Sequence, residues 1–335
     1  MSAAKVEESA LPEAVRALAE ADFGAVAQRF RDAGFAVGLP ASGILTVKSV
    51  ASDPTRPSVL VSVGVHGDET GPIEMVAHLV EALSQSPAAL AVDLMLCVGN
   101  IDAIRAGKRF VDADLNRMFR AQRGALAGTF EAGRADVLID ATRAFFEGSG
   151  PARWHFDLHT AIRPSHYPMF AIVPELIARS QRDELIAWLG EAAIGAIIMN
   201  PESAGTYSYF TSEHLGAAGS TVELGKVGVL GQNDLAQFAA AARALDRLLR
   251  GAPAQPAASA PHVFDTAQSI IKLSDAFSMT VGRETWNFTA LKKGDVIASD
   301  GATVYTVKHD EELVVFPNPD VRVGLRAGIM VVRTA

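Results

Sequence analysis

Val59-Leu60-Val61-Ser62-Val63-Gly64-Val65-His66-Gly67-Asp68-Glu69-Thr70-Gly71-Pro72 runs from an apolar stretch into a loop rich in chemistry. The first seven residues, mostly β-branched or leucine, have the pattern of a strand buried on both faces. Beyond Pro72, Ile73, Val76, Leu79 and Val80 recur at helical spacing. Strand, short loop and helix in that order form the unit of an α/β domain. In such domains reactive side chains collect in loops at the carboxyl ends of strands, and His66 falls at such an end.

The pattern extends outward from this unit. Residues 11–34 read as one or two short amphipathic helices, and 92–98 as a second apolar strand. A helix is expected near 130–147, with Val137, Leu138, Ala141 and Phe145 at helical spacing. Strands follow at 154–158 and 169–173, then a helix near 175–189. Short strands are expected at 196–199 and 221–224, and a helix over 233–249 carrying Leu235, Phe238, Leu245 and Leu249. This alternation predicts an α/β catalytic domain over residues 1–250, with a largely parallel central sheet flanked by helices. Residues 251–261 hold three prolines and no large apolar side chain, the composition of a linker. Short strands at 278–281, 295–298, 304–307, 313–316 and 329–332 make 262–335 a smaller β-rich domain.

At 335 residues the chain exceeds what one compact core usually carries. Its net charge of −8 argues against nucleic acid or an anionic membrane as the partner. Cys97 is the only cysteine, so the chain can form no internal disulfide and no cysteine-rich metal site. The stretch Met1–Ser9 lacks the pattern of a secretory signal, and no run approaches the length of a membrane span. A cytoplasmic protein acting on a small molecule is the expectation, with its oligomeric state open.

His66 and Glu69 form an H-x-x-E pair on a rigid support. A catalytic zinc needs three N/O ligands and one open position, so a histidine further along must complete the set. Of the eight histidines, His78, His214, His262 and His309 lie in settings that suit structural or exposed roles. His155, His159 and His166 are closer candidates. Strand alternation places His155, Asp157 and His159 on one face, and proximity to the strand end favours His159. Asp157 and Asp68 are candidates for orienting the imidazoles.

Lys108, Arg109, Asn116 and Arg117 form a basic group in a long loop. It reads either as a carboxylate clamp or as a solvated loop with internal Asp–Arg pairs. Glu223 sits at the end of an apolar strand, where an unpaired carboxylate is costly. That setting suits a general base of raised pKa, or an ion pair with Lys226 or an arginine.

Taken together, His66-x-x-Glu69, Asp114-Leu115-Asn116-Arg117, Asp157-Leu158-His159-Thr160 and Glu223-Leu224-Gly225 resemble the succinylglutamate desuccinylase/aspartoacylase family, relatives of the zinc carboxypeptidases. The resemblance runs from about residue 43 to the C-terminus. It favours the desuccinylase branch through residues 157–163, 223–235, 315–319 and 323–328. Val229-Leu230 departs from the Pro-Phe type pair expected before Gly-Gln-Asn-Asp.

The resemblance implies a carboxypeptidase-like mixed sheet and one zinc per chain held by His66, Glu69 and His159. It implies Glu223 as the base and Arg109 as the group that stabilises the oxyanion. Asn116 and Arg117 would hold the α-carboxylate of the amino-acid half, with Arg163 or Lys226 on the succinyl carboxylate. The reaction implied is hydrolysis of N-succinyl-L-glutamate to succinate and L-glutamate in the arginine succinyltransferase route. A related N-acyl amino acid deacylase or carboxypeptidase-like hydrolase is the nearer alternative, and a non-catalytic metabolite-binding protein the more distant one.

Overall fold

The computed structural model describes residues 11–51 and 53–334. The stretch Met1–Ser9 read above for a targeting signal lies outside the described residues. Two short helices, α1 (Glu13–Ala19) and α2 (Gly24–Asp32), precede the strands β1 (Ala36–Gly38) and β2 (Ile44–Lys48). The deciding stretch forms β3 (Ser58–Val63), buried along its whole length, followed after seven residues by α3 (Gly71–Ser84). Pro72 starts the helix where a missing N–H costs nothing. Ile73, Val76, Val80 and Leu83 are buried against the sheet, each contributing roughly 1.5–3 kcal/mol of transfer free energy.

The catalytic half continues with β4 (Asp93–Val98), α4 (Ile101–Ala106), α5 (Phe130–Phe146), β5 (Arg153–Ala161), β6 (Met169–Pro174) and α6 (Arg179–Glu191). It closes with β7 (Ala196–Asn200), α7 (Tyr207–Leu215), β8 (Ala218–Lys226) and α8 (Ala239–Leu249). The C-terminal segment supplies β9 (His262–Ile271), β10 (Ser278–Met279), β11 (Thr289–Lys292), β12 (Val296–Asp300), β13 (Thr303–Thr306), β14 (Glu311–Val315) and β15 (Arg326–Arg333).

Among the described residues twelve strands form one sheet in the order β1-β2-β4-β3-β5-β8-β6-β7-β9-β15-β14-β11, and β10-β12-β13 form a second. β4, β3, β5 and β8 run parallel, whereas β6 meets β8 antiparallel. The fold is thus a mixed α/β sheet flanked by helices with a smaller β-rich segment, as the sequence led one to expect. β9 pairs with β7, so hydrogen bonding continues unbroken from one segment into the other. No helix among the described residues is long and apolar enough to cross a membrane.

Four local expectations need correction. The helix expected over 233–249 starts as a 3-10 turn at Leu235–Phe238, because Asp234 accepts a hydrogen bond from Ala236 N. Val137 is exposed, since α5 turns Ala135, Leu138, Ile139 and Thr142 inward instead. Residues 207–215, for which no element is expected above, form α7, started by the Thr206 hydroxyl, which accepts from Tyr209 N. β9 was not anticipated because its alternation is broken. Its register with β15 shifts between Met330 and Val331, so apolar residues fall on both faces.

Candidate metal centre

Gly64 and Gly67 let the loop after β3 lie against α4. Gly64 has a φ of +63°, and a Cβ on Gly67 would stand 2.3 Å from the Ala103 carbonyl carbon. The loop then turns tightly, Glu69 N donating to His66 O, which brings positions 66 and 69 together and leaves Asp68 outside. On β5, Phe156 and Leu158 enter the helix-covered core while His155, Asp157 and His159 face the other way. Parallel pairing puts Glu223 of β8 directly beside His159.

His66, Glu69 and His159 are buried and bring one ligand atom each within 4.8 Å of one another. Nδ1 of His66 lies 3.2 Å from Nδ1 of His159. Glu69 places Oε1 2.8 Å from the first imidazole and Oε2 2.9 Å from the second. Each ring keeps its Nε2 on a carboxylate, His66 on Asp114 at 2.9 Å and His159 on Asp157 at 3.0 Å. Paired carboxylates of this kind fix ring orientation and strengthen imidazole ligands. Three converging N/O donors could hold a metal ion.

The electrostatics are those of a tightly coupled group. Burial works against the charge on Glu69, yet His66 and His159 hold its carboxyl well below the usual range. Burial would lower His159, but Asp157 and Glu69 outweigh it and hold the imidazole well above its ordinary value. Glu223 goes the other way: burial, then the neighbouring Glu69, push its carboxyl up to about 7. Its Oε2 is buried without a hydrogen-bond partner. A carboxyl with a free oxygen and a pKa near neutrality is equipped to take up and release a proton.

Behind these residues lies a second layer. Ser62 donates to Asp157 at 2.5 Å, and hydrogen bonds link His155 to Ser62 and to Thr211 of α7. His155 is therefore held away from the ligand group, and burial lowers its pKa to about 4. His166 packs against Trp286 and is exposed. Among the described residues Asp68 makes no hydrogen bond to either imidazole, and its buried Oδ1 has no hydrogen-bond partner. The orienting acceptor of His66 is Asp114, which sequence reading placed in a motif without giving it this role.

The basic loop is ordered from below. Glu131 at the start of α5 is fully buried and accepts from the backbone N–H groups of Val111, Asp112 and Ala113 and from Asn100 Nδ2. Gly67 N donates to Arg109 O, joining the two loops. Arg109 reaches Glu69 Oε1 at 2.7 Å. Asn116 is buried: its Oδ1 accepts from Tyr207 N, and its Nδ2 lies 3.4 Å from His159 Nε2. Arg117 Nη1 donates to Asn116 O, and its other nitrogen stands 3.9 Å from Asp114.

Arg163 follows β5, donates to Arg283 O, and has its pKa lowered by burial and then by Arg283 and Arg109. Lys226 ends β8 exposed to solvent. Among the described residues the structure thus gathers His66, Glu69, His159, Glu223, Arg109 and Asn116 around one point. Arg117 and Arg163 stand further out, and Lys226 at the margin.

Residues 55–249 match the family model of the succinylglutamate desuccinylase/aspartoacylase catalytic domain. The chain belongs to this family. Residues 259–334 match the accompanying AstE/AspA barrel-sandwich hybrid domain. A succinylglutamate desuccinylase of Burkholderia orbicola is 47% identical over 87% of the chain and 86% of its own length. The crystal structure of a succinylglutamate desuccinylase from Chromobacterium violaceum superposes with a TM-score of 0.76 at 32% identity, over 93% of this chain and 98% of that one. One from Vibrio parahaemolyticus does so with a TM-score of 0.82 at 29% identity, over 90% of this chain and 89% of that one.

Proposed function

We propose that this chain hydrolyses N-succinyl-L-glutamate to succinate and L-glutamate, using one zinc per chain held by His66, Glu69 and His159. One observation carries the reading: the three buried donors, each oriented by further groups, stand beside a proton-exchanging Glu223 in a chain 47% identical to a succinylglutamate desuccinylase. Two nitrogens and a carboxylate with a fourth position open are the donor set of a catalytic zinc.

Zinc held by His66, Glu69 and His159 would supply Lewis acidity and a water of lowered pKa. Glu223 takes the proton from the attacking water and returns it to the departing amine nitrogen. Arg109, already pointed at the ligand group, stabilises negative charge on the former carbonyl oxygen. Asn116 and Arg117 hold the α-carboxylate of the amino-acid half. Arg163 is the first candidate for the succinyl carboxylate and Lys226 the second, because Arg163 is partly buried and feels the charge of Arg109, whereas Lys226 is exposed to solvent. The reaction closes an arginine succinyltransferase route by releasing glutamate.

The test is release of the free amino acid by the zinc-loaded enzyme over a panel of N-acyl amino acids. N-Succinylglutamate is expected to exceed N-acetylglutamate in kcat/KM by at least ~10²-fold, because the partner of the missing carboxylate is left unpaired. N-Acetylaspartate is expected to be poorer still. A preference for N-acetylaspartate overturns the reading.

A further inference from the structure

N-Succinylglutamate carries three carboxylates, and the residues assigned above meet two of them. The roles assigned above leave the γ-carboxylate of the glutamyl half without a partner. The C-terminal segment supplies a candidate through the register of its strands.

Arg326 opens β15 and stands opposite Ile271 of β9. Residues opposite one another in a ladder project from the same face. On that face of β9, two residues back, Ser269 donates to Glu202 at 2.8 Å. Ser269 in turn opposes Ile329, which packs with Ala161, Phe170 and Ile198. Ala161 follows His159 by two positions on β5, and Phe170 pairs with Glu223, so this is the sheet face that carries His159 and Glu223. Arg326 therefore shares the reactive face, although more than a hundred residues separate it from Glu223.

The loop after β7 brings it to Arg117. Phe119 N donates to Gly205 O at 3.1 Å, and a Cβ on Gly205 would stand 2.7 Å from the Arg117 carbonyl oxygen. Glu202, in the same loop, is tied to β9 through Ser269. Arg117 therefore borders this loop on one side, and the ladder that carries Arg326 is tied to it on the other. Burial, then Arg117, lower the Arg326 pKa to about 10, with Glu202 partly offsetting them. Among the described residues the Arg326 side chain makes no hydrogen bond or ion pair. A half-buried guanidinium facing a like charge, with its planar fork unused, is arranged to receive an anion.

We infer that Arg326 is a specificity-determining residue that binds the γ-carboxylate of the glutamyl half, forming with Arg117 a two-arginine clamp closed by the C-terminal segment. The inference rests on the proposed desuccinylase reading. It explains why residues 259–334 accompany the catalytic segment: they carry a substrate contact.

The test compares N-succinyl-L-glutamate with N-succinyl-L-glutamine, which keeps shape but lacks the γ charge, in the zinc-loaded enzyme and in Arg326→Gln. The parent is expected to favour the glutamate substrate by about 10²-fold in kcat/KM, the scale of one unmatched charged partner. Arg326→Gln should bring the ratio to within about threefold, mainly by raising KM for the glutamate substrate. Zinc content and melting temperature should hold, since the variant removes an unpaired charge. Should Arg326→Gln fail to fold, Arg326→Lys, which keeps charge but loses the fork, is expected to shrink the ratio by about tenfold.

An equal loss on both substrates, or an unchanged ratio, overturns the inference and leaves the desuccinylase reading standing. A parent enzyme that does not hydrolyse N-succinyl-L-glutamate overturns both.

Discussion

Glu69 and Arg326 mark two ways of treating charge in one molecule. Both Glu69 oxygens are bonded: Oε1 to His66 and Arg109, Oε2 to His159 and the Thr160 backbone N–H. The Arg326 side chain has no such bond among the described residues, and burial and then the charge of Arg117 lower its pKa. The ligand cluster stands on β5 and on the turn beneath α3, with Ser62, Asp114 and Asp157 holding the rings in place. The arginines stand on loops and strand ends, partly open to solvent. Preorganised groups serve chemistry, because fixed donors and dipoles need no rearrangement as charge develops. Unmet charges serve recognition, because a substrate gains most by pairing with a group that has no other partner.

The largest expected effect tests the rigid side of this comparison. His159→Ala leaves two ligands, so bound zinc should be lost and activity should fall by at least ~10³-fold. Metal analysis finding full zinc in that variant would remove His159 from the ligand set.

Glu223→Gln tests the exception within the rigid cluster, an oxygen left free. It should keep zinc and KM while kcat falls by at least ~10²-fold. The same substitution has a consequence for stability. The Glu223 carboxyl is held at about 7 when folded, above its ordinary value of 4.5. The chelated protein therefore keeps it protonated between those values. The cost of ionising it grows from about pH 4.5 and is fully present above pH 7. Chelated Glu223→Gln should then melt higher than the chelated parent at pH 8, the difference shrinking to nothing near pH 4. Equal melting curves at pH 8 would mean that the carboxyl is not raised.

The arginines should give smaller, more selective effects. Arg117→Lys keeps the charge but loses the fork, so KM should rise by roughly tenfold with kcat little changed. A mainly lowered kcat would move Arg117 from the recognition side to the chemical side. The smallest effect is expected from Arg163→Ala. It should narrow the succinyl-over-acetyl preference by about tenfold while harming N-acetylglutamate little. Equal losses on both substrates would pass the succinyl role to Lys226.

The cluster of His66, Glu69 and His159, which could hold a metal ion, was the most legible part of the candidate site. His66 and Glu69 are three residues apart at the end of an obvious strand, and alternation along 154–160 singled out three residues of which His159 lies nearest the strand end. Glu223 was legible because a carboxylate in an apolar strand is conspicuous. Asp114 was not legible as the partner of His66, since that hydrogen bond spans 48 positions and joins two loops. Glu131 escaped notice for the same reason, as its partners are backbone N–H groups 18 to 20 residues away. α7 was missed because Tyr-Ser-Tyr-Phe-Thr-Ser is a poor helix former on its own. Burial against the sheet and the Thr206 cap hold it.

The sequence by itself determined the alternation of strands and helices, the side of each strand turned toward the site, and the chemical types of the reactive groups. These follow from periodicity and local spacing, which act over a few residues. Only the tertiary structure decided which acid orients each imidazole, which glutamate pins the arginine loop, and that β9 extends the central sheet so that Arg326 shares the face of His159 and Glu223. Those outcomes depend on register and on loop closure between distant segments. A one-residue shift in either strand of a pair would turn the side chain to the other face.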